Sequence, residues 1–169
     1  SETALSRRRP AEVGMLLREG VKVIQLTRTD GASERAAPED VLAEARKGGA
    51  LALVPLDYNT PARVDAWKAQ AMVVGSLKDF AASPPSVREG LLKSDAMLIL
   101  EVTSVPTKEQ LDTIYPARWR RVHLNAGTAP ASSRLAEQKA TYRAMYAAGM
   151  TRNEILALIG GNLRRYLGL

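Results

Sequence analysis

The chain has 169 residues, 46% hydrophobic and 25% charged, with a net charge of +6, one histidine and no cysteine. That length suits one domain, residues 1–169, whose core needs neither disulfides nor a structural metal. The missing cysteine excludes disulfides, thiolate zinc sites and cysteine nucleophiles, and a lone histidine is too few for the usual catalytic zinc set, so neither metal nor cofactor is expected.

Arg7-Arg8-Arg9 is not read as a twin-arginine signal, because Pro10 to Glu19 carries charges where a signal needs an apolar run. No stretch approaches the roughly 18 apolar residues of a membrane span. The composition therefore fits a soluble globular protein with no membrane partner, in either cytoplasm or periplasm.

A first helix is expected from Pro10 to Glu19, ending at Gly20. Beyond it, five apolar runs read as buried strands: Val21–Leu26, Ala50–Leu56, Ala71–Gly75, Ala96–Val102 and Arg121–Asn125. They recur about every 20–30 residues, the length of a strand, a helix and two loops, which argues for βα units and a parallel sheet.

The helices between the strands are signalled by their caps. Ala37-Pro38-Glu39-Asp40 and Thr60-Pro61 place a proline at the first helical position. Ser86-x-x-Glu89, Thr107-x-x-Gln110 and Thr151-x-x-Glu154 fit capping boxes. Gly48-Gly49 and Gly149 mark helix ends. Ser132 to Ala148 reads as one long helix with Leu135, Ala136, Lys139, Tyr142, Arg143 and Tyr146 along a stripe. The Thr151 helix follows and is broken by Gly160-Gly161, a kink or close-packing point rather than a phosphate cradle.

These elements predict an α/β fold of about five parallel strands alternating with helices. A full (β/α) barrel takes about 250 residues. The sheet is therefore either an incomplete or shortened barrel or an open doubly wound sheet.

In both architectures ligands gather beyond the carboxyl ends of the strands. Those ends carry Arg28 after strand one, Asp57 and Asn59 after strand two, and Lys78 after strand three. Glu101 closes strand four, and His123, Asn125 and Thr128 follow from strand five. Glu101 and His123 interrupt strong apolar runs. On adjacent strands they could form an acid–base pair, the carboxylate fixing the imidazole tautomer and raising its pKa. Lys78 could hold an anionic group or serve as a base. Asp57, Asn59, Arg28, Asn125 and Thr128 complete a ligand-binding rim. The structural alternatives are a satisfied strand histidine, an ion pair of Glu101 with Arg121 or Lys78, and a turn shaped by Asp57. No Gly-x-Gly-x-x-Gly, Walker or Gly-x-Ser-x-Gly motif is present.

The end of the chain carries a family resemblance. Val122-His-Leu-Asn125, the loop Ala126-Gly-Thr-Ala-Pro130, the long helix, Ala148-Gly-Met-Thr-Arg-Asn-Glu154 and Ile159-Gly-Gly-Asn162 follow one another in that order. This order resembles the C-terminal part of amidohydrolase-related (β/α) barrel proteins. In that family the loop after the final strand holds an aspartate that is a metal ligand and base, preceded early in the chain by a His-x-His. Here the loop reads Gly127-Thr128-Ala129-Pro130, and the chain has no His-x-His. The resemblance therefore implies the scaffold without its metal centre.

Three functional expectations result. The first is an amidohydrolase-like domain that binds a small polar or anionic ligand, with metal-independent acid–base chemistry by Glu101 and His123. The second is an RNA-associated protein resembling the barrel-like protein subunits of ribonuclease P, motivated by the positive charge. It ranks lower because the basic clusters (Arg7–Arg9, Arg118/Arg120/Arg121 and Arg164/Arg165) are scattered and lack interleaved aromatics. The third is a non-catalytic assembly module, whose sheet a second copy or another chain would complete as an oligomer.

Overall fold

A computed structural model of the protein describes residues 8–20, 23–25, 39–57, 60–67, 69–115, 119–126 and 131–169. The elements alternate as α1 (Pro10–Arg18), β1 (Val23–Gln25), α2 (Glu39–Lys47), β2 (Leu51–Pro55), α3 (Thr60–Trp67) and β3 (Ala71–Ser76). They continue with α4 (Leu77–Ala82), α5 (Pro85–Lys93), β4 (Met97–Val102), α6 (Lys108–Asp112), a 3-10 turn (Trp119–Arg121) and β5 (Val122–Ala126). The chain ends with α7 (Ala131–Ala147), α8 (Arg152–Leu156), a π-helical turn (Ala157–Gly161) and α9 (Asn162–Leu167).

The five strands among the described residues lie in one parallel sheet, in the order β1-β2-β3-β4-β5. The order never reverses, so the described strands lack the switch point of a doubly wound sheet. Right-handed crossovers in an unreversed order carry every connecting helix to the same face. The core follows that rule. Ala52, Val54, Val73, Leu98, Leu100 and Leu124 point one way and pack with Val13, Trp67, Phe80, Leu91, Leu111 and Met145 from the helices.

The alternate strand residues face the other way. Leu51, Met72 and Met97, with Leu53 and Ile99 beside them, meet Leu163 and Tyr166 of α9 in a second, smaller cluster. The Tyr166 hydroxyl donates to the Ala71 carbonyl at 2.9 Å and accepts from the Ala71 amide at 3.0 Å. One short helix thus covers part of the second face.

The capping boxes at Thr107 and Thr151 form, each hydroxyl accepting from the amide three residues on. The third expected box does not, because α5 begins at Pro85 and leaves Ser86 inside its first turn. A proline's fixed φ suits the first helical position. Strand three also runs directly into the unexpected helix α4, capped by Ser76, whose hydroxyl accepts from the Asp79 amide at 2.9 Å. Gly49 and Gly149, both at positive φ, close α2 and α7. In each case the next residue bonds back to a carbonyl five positions earlier. Along α7 the buried positions among the described side chains are Thr141 and Met145, while Leu135 and Tyr146 of the expected stripe are exposed.

Gly75 marks a tight contact between β3 and the chain leaving β2. A Cβ at that position would come within 2.6 Å of the Leu56 Cβ, which is too close to the backbone to rotate away. Gly75→Ala should therefore destabilise the fold by about 1–3 kcal/mol, read as a lowered urea midpoint with an unchanged slope.

Candidate functional site

The strand register arranges the second face in layers. Ser76, Glu101 and Asn125 are aligned across β3, β4 and β5 at the carboxyl end. One layer below, Val74, Ile99 and His123 are aligned. Glu101 and His123 therefore share a face on adjacent strands but are diagonal neighbours, one layer apart. The α9 cluster lies towards the amino end of the face, against Leu51, Met72 and Met97. Above it Val74 stays 38% exposed, Glu101, Ile99 and His123 are half-buried, and Asn125 is exposed.

His123 is oriented from the C-terminal segment. In the π-helical turn the Asn162 amide bonds to the Ala157 carbonyl, five residues back, instead of the usual four. Gly160 leaves helical geometry there (φ 172°, ψ −37°). The turn lies against β5, and His123 Nδ1 sits 3.1 Å from the Leu158 carbonyl oxygen. A carbonyl can only accept, so Nδ1 carries the proton and the neutral ring holds its lone pair on Nε2. Nε2 has no hydrogen-bond partner among the described residues. Burial pushes the His123 pKa down, against a smaller upward effect of the Leu158 hydrogen bond. The group that fixes the tautomer is thus a backbone carbonyl rather than Glu101, and the shift runs opposite to the one expected of a carboxylate–imidazole pair.

Asn162 locks the same segment to the sheet edge. Its buried Nδ2 donates to the Val122 carbonyl at 2.9 Å, and its Oδ1 accepts from Arg165 Nη2 at 2.9 Å. Sequence reading gave neither Leu158 nor Asn162 a role. The available signal was Gly160-Gly161, which suggested either a kink or close packing and gave no hint of the contact between Leu158 and His123, 35 residues apart.

The other candidates divide. Asp57 is absorbed by the turn into α3. Its carboxylate pairs with Arg63 with both side chains largely buried, and its amide donates to the Thr60 hydroxyl at 2.6 Å. That hydroxyl in turn donates to the Pro55 carbonyl at 2.9 Å. Lys78 is exposed on α4. Arg121, considered as a partner for Glu101, instead pairs with Asp95 and donates to the Ser94 carbonyl at 2.6 Å. Arg28, Asn59 and Thr128 lie outside the described residues.

Two clefts open at the opposite, amino end of the strands. One, of about 1050 Å³, is lined by Pro61, Val64, Lys93, Asp95, Arg121 and Tyr166, among others. A smaller one, of about 280 Å³, shares Lys93, Asp95 and Arg121. Arg121, which lines both clefts, pairs with Asp95 at the surface, and Lys93, which also lines both, pairs with Glu89. No family model, curated protein or solved structure matches this chain. Among the described residues no three His, Asp or Glu side chains gather closely enough to hold a metal, and no helix is long and apolar enough to cross a membrane. The second sheet face is therefore the candidate site on geometry alone.

The depressed pKa of His123 has a consequence with a definite sign. The unfolded imidazole titrates near 6.5 and the folded one lower. Below 6.5 the unfolded chain therefore binds more protons at this position. The stability that His123 contributes is fully present above that pH and is lost as pH falls towards the folded pKa. The single ring resonance should titrate below 6.5. Between about pH 7 and about pH 5 the urea midpoint should fall further in the wild type than in His123→Asn. Equal falls would contradict the assignment.

Proposed function

We propose that this chain is a ligand-binding α/β domain, an arc of a (β/α) barrel similar to amidohydrolase-related proteins but without their metal centre. It holds a small polar or anionic ligand on the carboxyl-end half of its second sheet face. The observation that carries this reading is the oriented His123, its Nε2 unpartnered among the described residues, on the part of the sheet beyond the α9 cluster. Sheet residues there combine an apolar floor, Val74 and Ile99, with polar groups at the rim, Glu101 and Asn125. Ligand sites commonly combine apolar lining with a few placed polar groups in this way.

His123 and Glu101 divide the polar work. The neutral imidazole accepts a hydrogen bond, or a proton, at Nε2 while Leu158 holds Nδ1–H. Glu101 binds an adjacent donor one layer above, and Asn125 supplies an amide beside it. Lys78, exposed on α4, supplies a cation near the carboxyl end for an anionic portion. This chemistry needs no metal. The amidohydrolase likeness supports the architecture, not a hydrolytic reaction.

Native mass spectrometry of protein purified without added ligand or metal is the direct test. A retained small-molecule adduct is expected in the wild type, and it should be lost in both Glu101→Gln and His123→Asn. An adduct that survives both substitutions would contradict the site. Co-purifying RNA fragments would favour the RNA-associated reading, and a ligand-free obligate oligomer would favour the assembly module.

A further inference from the structure

The structure assigns Asn162 a positioning role: it grips β5 at Val122 so that the Leu158 carbonyl, one turn earlier, stays on His123 and keeps the imidazole proton on Nδ1. This inference deepens the proposed function and rests on its reading of the His123 site.

Two consecutive residues of β5 are held by two positions one turn apart in the C-terminal segment. The Val122 carbonyl accepts from Asn162 Nδ2 at 2.9 Å, and His123 Nδ1 donates to the Leu158 carbonyl at 3.1 Å. In a regular α-helix the Asn162 backbone amide would bond to the Leu158 carbonyl, four residues back, and compete with the imidazole for it. In the π-helical turn that amide bonds to the Ala157 carbonyl instead. The Leu158 carbonyl is thus relieved of its helical donor by the same residue whose side chain fastens the turn to the strand. The distorted turn and the asparagine act as one device.

The polar chemistry fits asparagine at this position. Asn162 is 1% exposed, and Val122 is fully buried. A buried backbone carbonyl needs a donor, and an apolar side chain at position 162 would withdraw this one. The orientation of the amide is fixed from both ends. The Val122 carbonyl can only accept, and the Arg165 guanidinium, 2.9 Å from Oδ1, can only donate, so a flipped amide would lose both bonds. Arg165 Nε also donates to the Gly161 carbonyl at 3.4 Å, which ties it to the same turn. Because Arg165 is exposed, its contribution can be removed without opening the core.

The test uses the full chain labelled with ¹⁵N-histidine, whose single ring reports its own tautomer and the exchange of its ring proton. In the wild type at neutral pH the proton should reside on Nδ1 and exchange slowly with solvent. A wild-type Nε2–H tautomer would overturn this inference and the reading of the site together. Asn162→Asp keeps the shape and the Arg165 partner but removes the donor to Val122. In the folded variant, identified by a cooperative urea transition, Nδ1–H exchange should quicken roughly three- to tenfold, as expected for loss of one hydrogen bond. The ring shifts should move towards the Nε2–H form. A folded variant with a lower urea midpoint but unchanged tautomer and exchange would make Asn162 structural only, overturning the inference and leaving the His123 site standing. Should that variant fail to fold, Arg165→Gln decides, because it leaves the amide donor in place and frees only its far end. An acceleration of about two- to threefold at a nearly unchanged midpoint is then expected; no acceleration would overturn the inference.

Discussion

The unreversed strand order is the constraint on which the rest of the structure depends. Each parallel strand needs a crossover, and a right-handed crossover in the order β1 to β5 always returns on the same side. One face of the sheet thus receives α2 to α6 in turn and becomes a dense core around Trp67, Phe80 and Leu100. The other face receives none of them. A parallel sheet with a bare face is unstable in water, so the chain must supply cover by another route, and it does so with its last helix.

That cover is incomplete in a productive way. Helix α9 is only six residues, Asn162–Leu167, about 9 Å at the usual rise of about 1.5 Å per residue. Its apolar side chains meet Leu51, Met72 and Met97, towards the amino end of the strands. The π-helical turn that precedes it serves two purposes. It redirects the chain from α8 onto the second face, and it presents a carbonyl to His123 at the boundary between covered and uncovered sheet. The same local distortion that leads into α9 therefore sets the protonation geometry of the only imidazole in the chain. Mid-helix π turns recur at functional positions for this kind of reason.

The sequence made legible what is local. Runs such as Met97-Leu-Ile-Leu-Glu-Val102 signal a buried strand through composition alone, and Thr107 and Thr151 signal helix starts because a cap and its partner are three residues apart. Ser86 misled because a better-placed proline competed for the helix start. Exposure along α7 is set by where the helix docks, which buries Thr141 and Met145 and leaves Leu135 and Tyr146 exposed. Glu101 and His123 were identifiable as polar interruptions of apolar runs. Their relation was not, because strand register and a carbonyl 35 residues downstream decide it. Asp57 illustrates the opposite outcome: a carboxylate at a strand end whose neighbours Thr60 and Arg63 absorb it into a turn.

The docking of α9 on the second face is the central claim, and the methionines allow a direct reading of it. The chain contains five: Met15, Met72, Met97, Met145 and Met150. Met72 and Met97 belong to the cluster against which Tyr166 packs, whereas Met145 and Met150 lie in the helix-covered core. With ¹³C-methyl methionine, a nuclear Overhauser spectrum should show contacts from the Tyr166 ring to Met72 or Met97 and none to Met145 or Met150. Contacts to the latter pair, or no methionine contact at all, would place α9 elsewhere and remove both the cover and the device that orients His123.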